Sequence, residues 1–375
     1  MAEMAEARHM SASTSAARRP SPHHRTVSTV AQTPGTRPRV SVVIPCFNYG
    51  RYLAAAIDSA LAQAGAQIEV IVVDDASTDD SAAVATAYGE HVRLVRHTRN
   101  SGPVATFNDG LAVATGEYLV RLDADDILTP GSVARAVALA EAEPSVGLVY
   151  GRPVHFAGDR PSTHRAHATR WRITDGPAWL DLRCESGVNC ITSPEALMRM
   201  SVVAEVGGQR QLAHTHDMEM WMRIARVSDV GWIDGADQAW HREHPASLSA
   251  TDTDVIGDLE ERLAAFEVLL TDGLGDSVAD AARLAVARRT LAIEALRRAI
   301  AACVRGRGTQ AEIVDYQRFV DASGADLTGV REVRLLARAL RLGSGAGRSP
   351  ALVAWAVGNR LRAARARRHW EKTGL

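Results

Sequence analysis

The chain is expected to adopt an α/β fold, a mostly parallel sheet flanked by helices with a helical C-terminal extension. Three observations predict it. Short apolar runs alternate with segments of helical periodicity at close intervals from residue 39. Acidic or aromatic clusters sit at the ends of those runs. Beyond residue 254 the pattern turns purely helical and rich in Ala, Arg and Leu.

The elements follow in order. "RVSVVIP" places Val40, Val42, Val43 and Ile44 in one run closed by Pro45, a buried strand. "YLAAAIDSALAQA" sets Leu53, Ile57, Ala60 and Leu61 on one helix face. "IEVIVVDDAS" is a second strand, ending in Asp74 and Asp75. "TDDSAAVATAYG" is a helix whose first-turn aspartates suit the positive end of its dipole. "VRLVRH" is a third strand. "GPVATFNDGLAVATG" is a helix with Pro103 near its start and Gly116 at its stop. "EYLVRL" is a fourth strand and runs into "DADDILTP". Residues 150 to 250 are irregular. "RLGSGAGRSP" reads as a flexible joint between late helices.

Composition bounds the function. With 375 residues, 46% hydrophobic and 23% charged, the chain suits one large or two ordinary globular domains. A net charge of −1 gives no electrostatic case for nucleic acid. Lys372 is the single lysine. Cys46, Cys184, Cys190 and Cys303 fit neither a zinc site nor a disulfide framework, so a reduced cytoplasmic setting is expected. No apolar run reaches the roughly 18 residues of a membrane span. Residues 1 to about 38 lack a secretory apolar core and are rich in Ser, Thr, Pro and Arg. They are expected to be a disordered tail. The Arg and Ser content leaves a transit peptide open, and two early glutamates weigh against it. The domain expectation is therefore a tail over 1–38, an α/β domain over 39–250 and a helical extension over 251–375.

In a parallel sheet, ligands bind beyond the carboxyl ends of the strands. "PCFN", "DDAS" and "DADD" all fall at such ends and should meet on one edge. The first turn, "PCFNYGRY", has only Gly50, so neither a dinucleotide-binding turn nor a P-loop is present. Asp123, Asp125 and Asp126 repel one another. They are either solvated turn residues or a cluster that receives a divalent cation, with phosphate oxygens on its far side.

Taken together and in this order, "VSVVIPCFNYGRYLAAAIDSALAQ", "IEVIVVDDASTDDS", "VRLVRHTRNSGPVATFNDGLAVATGEYLVRLDADDILTPGSV", "HDMEMWMRIA" and "HREHPASLS" resemble the family-2 inverting glycosyltransferases over about Val40 to Ser249. The resemblance implies the GT-A nucleotide-diphospho-sugar transferase fold. It implies that Pro45 and Phe47 floor a nucleobase pocket, that Asp75 accepts a hydrogen bond from the base, and that Asp123 lies near the ribose. It further implies that Asp125 binds Mg²⁺ or Mn²⁺ with help from His244, and that Asp217 is the catalytic base. The implied partners are a nucleotide-sugar donor and an acceptor hydroxyl, in some relatives lipid-linked.

Each residue has a plainer role beside that one. Phe47 fits a core, Asp75 a helix cap near Ser77, Asp217 a helix N-terminus and His244 a surface site. Cys46 reads as a small buried residue, and Trp171, Trp179, Trp221, Trp232 and Trp240 as core. The chain also departs from the family pattern. His216 stands where Glu is common; a neutral imidazole there leaves Asp217 less raised in pKa than a second carboxylate would, and a cationic one lowers it. Phe107 stands where Arg is common, with Arg99 as a substitute phosphate-facing charge. "QAWHR" does not fit the Gln-x-x-Arg-Trp of polymerising synthases, which favours transfer of a single sugar. The alternatives are a non-catalytic sugar-nucleotide-binding protein and a nucleotidyltransferase; the latter usually opens with a Gly-rich basic loop, which "PCFNYGRY" lacks. The terminal helix "ALVAWAVGNRLRAARARRHW" has an apolar and a basic side. It is expected to pack on its own domain or a homo-oligomer partner, with peripheral docking on an anionic membrane as the competing expectation.

Overall fold

The computed structural model describes residues 24–27, 37–158, 160–244, 255–306 and 310–375. The expected strand–helix alternation is present: β2 (Arg39–Cys46), α1 (Gly50–Leu61), β3 (Gln67–Asp74), α2 (Ser81–Thr86), β4 (Val92–Arg96), α3 (Pro103–Val113) and β5 (Tyr118–Arg121). These four strands are parallel, in the order β4-β3-β2-β5. Their side chains alternate between two cores. Val42 and Ile44 join Leu53 and Ile57 of α1 on one face, while Val43 joins Ile71, Val73 and Phe107 of α3 on the other.

Beyond β5 come five further strands with helices between them, most of them in the stretch read as irregular: β6 (Ile127–Leu128), α4 (Ser132–Ala142), β7 (Val146–Phe156), β8 (Arg170–Thr174), α5 (Gly176–Ser186), β9 (Leu197–Arg199), α6 (Met200–Val206), α7 (His216–Val227) and β10 (Asp229–Arg242). Counted with β1 (His24–Val27), that makes the sheet ten-stranded. Of the pairs in this half only β7 with β10 is parallel; β5–β9, β7–β9, β8–β10, β6–β10 and β1–β8 are antiparallel. The sheet is therefore mixed, parallel in its first half only. The strand pattern was hidden by Gly147, Gly151 and Pro153 in β7 and by Gly231 and Gly235 in β10, residues that ordinarily argue against a strand. They are there because neighbours crowd them: a Cβ at Gly151 would strike the Gln238 side chain.

Within the segment expected as a disordered tail, His24–Val27 instead forms β1, antiparallel to β8 at the sheet edge. There Arg25 NH1 donates to Glu143 Oε1 at 3.0 Å. The rest of residues 1–36 lies outside the described residues.

The extension comprises α8 (Val255–Leu270), α9 (Ser277–Arg305), α10 (Gln310–Ala322), α11 (Arg331–Leu342) and α12 (Pro350–Thr373). Leu259, Phe266, Leu291 and Ala295 share one continuous core with Trp179 of α5 and Trp221 of α7. The expected joint is a 3₁₀ turn, Gly343–Arg348, with Ala346 buried. Both ends of α12 pack on the chain itself. Leu352 and Trp355 are buried near its start. At its end Trp370 lies 6.3 Å from Trp232, and the Tyr150 hydroxyl donates to the Gly374 carbonyl. Val353, Val357 and Leu361 remain exposed along its middle. Among the described residues, no helix is long and apolar enough to cross a membrane.

Candidate active site

Three loops at the carboxyl ends of β2, β3 and β5 meet as expected, around a cleft of about 1010 Å³. Asn48 ties the first two together. Its backbone takes φ of +60°, a conformation Asn tolerates better than most residues. Its Oδ1 accepts from Thr78 N at 2.8 Å. This turn points Phe47 outward, 42% exposed, so it is not core. Asp75 is buried at the back of the cleft. Its carboxylate accepts from Ser101 N (2.8 Å) and Gly102 N (2.9 Å) at the entry to α3, and meets His97 Nδ1 at 2.7 Å. The Ser77 N–H is taken by Asp74 instead, at 3.2 Å.

The crowding of aspartates after β5 is resolved one carboxylate at a time. Asp123 Oδ1 accepts from Arg121 Nε at 3.0 Å and forms an ion pair with Arg121 NH2, also at 3.0 Å. Asp125 Oδ2 lies 2.9 Å from His244 Nε2. Asp126, fully buried, meets His241 Nδ1 at 3.0 Å and accepts from Arg242 N at 2.8 Å. Burial alone would lower His241, but the Asp126 hydrogen bond and charge outweigh it and raise it to about 9. Burial, reinforced by Asp123, raises Asp125, with His244 opposing. The His244 ring lies against both Tyr49 and Tyr52, with centroids 5.8 and 5.4 Å away.

Asp217 enters the same cleft from the first turn of α7. Its Oδ1 accepts from Met218 N at 2.6 Å, and Asn189 Nδ2 and Ser193 Oγ lie 3.3 Å from Oδ2. Burial raises its pKa; Arg121 and the Met218 amide oppose that, and Asp123 adds to it. His216 beside it is pushed down to about 3 by burial and the Arg121 charge, so it is neutral at pH 7. Cys46 is buried and its thiol is raised to about 11, chiefly by burial, which makes it a poor nucleophile. The five tryptophans expected in the core are all buried.

Arg99 is exposed and does not line the cleft. Arg121 does, with its guanidinium 5.7 Å from the buried Phe107 ring. Sequence reasoning missed Arg121, although a charge inside "EYLVRL" signals a buried cation that needs a partner. It also missed His241, Asn189 and Ser193, which carry no local signal.

Among the described residues, no group of three or more His, Cys, Asp or Glu side chains converges as a self-contained metal site. Asp125 and His244 offer one carboxylate and one imidazole. That donor set fits a hard divalent ion that takes its other ligands from phosphates and water.

Residues 41–207 match the profile of Glycosyl transferase family 2. An uncharacterized glycosyltransferase of Nostoc is 40% identical over 126 residues, 32% of this chain and 39% of that protein. One from Rickettsia typhi is 26% identical over 62% of this chain and 73% of its own length. The succinoglycan biosynthesis protein ExoO of Rhizobium meliloti is 39% identical over 28% of this chain and 30% of ExoO. The matches to Nostoc and ExoO thus span well under two thirds of those proteins. Among solved structures, Staphylococcus aureus TarS 1–349 in complex with UDP-GlcNAc superposes with a TM-score of 0.57 at 15% identity, covering 83% of this chain and 89% of that one. The Pyrobaculum calidifontis mannosyltransferase PcManGT in complex with GDP-Man and Mn²⁺ gives 0.53 at 20% identity, covering 92% and 91%. At those identities the superpositions establish the fold. The profile match and the named glycosyltransferase relatives agree that residues 41–207 carry a Glycosyl transferase family 2 domain, and the superpositions give the chain the GT-A fold.

Proposed function

We propose that the protein transfers one sugar from a nucleotide-diphospho-sugar to an acceptor hydroxyl, with inversion at the anomeric carbon, and that Asp217 is the general base. The observation that carries this reading is Asp217 itself. It is a half-buried carboxylate with a raised pKa, held by an amide N–H and neutral side chains, on one cleft with Asp75, Asp123 and Asp125. A base tuned upward toward the working pH abstracts a hydroxyl proton more effectively than an ordinary carboxylate.

The donor side has matching chemistry. The exposed ring of Phe47 offers a face for a nucleobase. Asp75 keeps acceptor capacity beyond its present partners, since each carboxylate oxygen has two lone pairs. Asp123 uses only Oδ1 for Arg121, which leaves Oδ2 for a ribose hydroxyl. Asp125 and His244 would hold Mg²⁺ or Mn²⁺, which when bound neutralises charge on a diphosphate leaving group. The donors in the TarS and PcManGT complexes, and the Mn²⁺ in the latter, support this donor class and cation. Direct displacement by the acceptor fits the inert state of Cys46 and gives inversion in one step.

A panel of UDP-, GDP- and dTDP-sugars, scored by hydrolysis and thermal shift with Mg²⁺, Mn²⁺ or EDTA, tests the reading. Cation-dependent hydrolysis of one donor class is expected. Failure to bind or hydrolyse any of them with either cation would overturn it.

A further inference from the structure

The cleft is not closed by the α/β half alone. One wall comes from α8 and α9, through Asp258, Glu261, Arg262 and Arg298. Two of these are sequence neighbours that brace the two loops on either side of Asp217. Glu261 Oε2 accepts from Ala213 N and His214 N, each at 3.1 Å, and the Glu261 carbonyl accepts from Thr215 Oγ1 at 2.9 Å. Those residues lead directly into α7. Arg262 NH1 donates to the Gly187 carbonyl at 2.7 Å, two residues before Asn189, which contacts Asp217. The extension thus holds the surroundings of the candidate base in place.

The same helix faces carry a linked set of charges. Arg262 pairs with Asp258 at 2.8 Å and with Glu294 at 3.0 Å. Arg298 Nε donates to Glu294 at 3.0 Å, and its NH2 lies 3.8 Å from Asp258. Asp258 and Arg298 are the members open to the cleft, with side chains 45% and 35% exposed. Two guanidiniums face three carboxylates (Asp258, Glu261 and Glu294), so this wall has no positive excess to attract an anion. Neither helix adds an apolar side chain to the lining among the described residues, so a hydrocarbon surface would strand these charges. A hydroxyl both donates and accepts, and a carboxylate beside a guanidinium satisfies both needs. A cleft of about 1010 Å³ also exceeds what one small ligand usually fills.

We propose that α8 and α9 form the acceptor wall of this cleft, and that Asp258 and Arg298 bind hydroxyl groups of a neutral, polyhydroxylated acceptor, a sugar without acidic groups. The proposal rests on the glycosyl-transfer reading above and adds to it the acceptor class and the segment that selects it.

The test uses the full chain, the donor that the wild type hydrolyses, and paired acceptors: p-nitrophenyl glucoside, galactoside and mannoside, each against its uronide. At least one neutral hexoside should accept the sugar, with kcat/KM about fivefold or more above its uronide. Asp258→Ala and Arg298→Ala should each raise the hexoside KM about tenfold, as expected for losing a hydrogen bond to a charged group. Donor KM should move less than about twofold, a split that general loosening of the fold would not produce. Asp258→Asn, which keeps the side chain's shape, should lie between. Methyl and octyl glycosides of the accepted sugar distinguish a free sugar (equal KM) from a lipid-borne one (lower KM for octyl). Preference for the uronide, unchanged hexoside KM in both alanine variants, or no transfer to any hexoside by an enzyme that hydrolyses its donor would overturn the proposal. A wild type that hydrolyses no nucleotide sugar would overturn the parent reading as well.

Discussion

Arg121 and Asp123, two residues apart at the exit of β5, are joined through one carboxylate oxygen by a hydrogen bond from Nε and an ion-pair contact with NH2, each 3.0 Å long. Arg121 NH1 is fixed in turn by Gln209 Oε1 at 3.1 Å. The guanidinium is buried, and its charge reaches both sides of the cleft. It orients Asp123 on the donor side and opposes the burial that raises Asp217 on the acceptor side.

Replacing Arg121 by Met removes that opposition. Asp217 must be ionised to act as a base, so activity is lost as pH falls through its pKa. With Arg121 gone that pKa rises further, and the acidic limb of the kcat/KM profile moves to higher pH. The variant should lose more activity at pH 6 than at pH 8. His216 should stay neutral in both proteins over this range, since its pKa is about 3 in the wild type. An acidic limb that stays in place in Arg121→Met would show that the guanidinium does not act on the base.

Cation removal gives a second outcome. EDTA or Asp125→Ala should lower donor turnover by about 100-fold or more, and His244→Ala by about 10- to 100-fold. Adding Mn²⁺ back should restore the chelated wild type and leave Asp125→Ala low. Wild-type turnover that is unchanged in chelator would refute the roles given to Asp125 and His244.

Stability of the sheet edge gives a third. A chain starting at Arg37 loses β1 and leaves β8 as the edge strand. The four-residue ladder contributes roughly 1–3 kcal/mol, so Tm should fall by a few degrees. Donor binding should persist, because β1 lies at the opposite end of the sheet from β2, β3 and β5. A chain starting at Ser21 should keep the full Tm. Equal Tm for the two, read by calorimetry, would mean that β1 adds nothing.

The parallel half of the fold was legible because its strands are short apolar runs with clear stops, as at Pro45 and Asp74–Asp75. The mixed half was not, because β7 and β10 carry glycines where close neighbours crowd the backbone, and β7 a proline besides. The site divides in the same way. Asp75, Asp123, Asp125, Asp217 and His244 were nameable through the family resemblance of the combined motifs, and all five line or adjoin one cleft. The partner that relieves the crowding at Asp126 was hidden by distance along the chain: His241 lies 115 residues away. Arg99 is exposed and lies outside the cleft lining, while Arg121 supplies a buried guanidinium there.

The central claim is that Asp217 deprotonates the acceptor. Transfer kinetics of Asp217→Asn, with donor Kd measured by titration on the same protein, test it most directly. The amide keeps an oxygen for the Met218 N–H, and the variant is expected to fold. With Asp217 as the base, kcat falls by about 10²- to 10⁴-fold, the usual worth of a positioned general base, while donor Kd stays within about twofold. A kcat within tenfold of wild type, or loss of donor binding equal to the loss of rate, would contradict it.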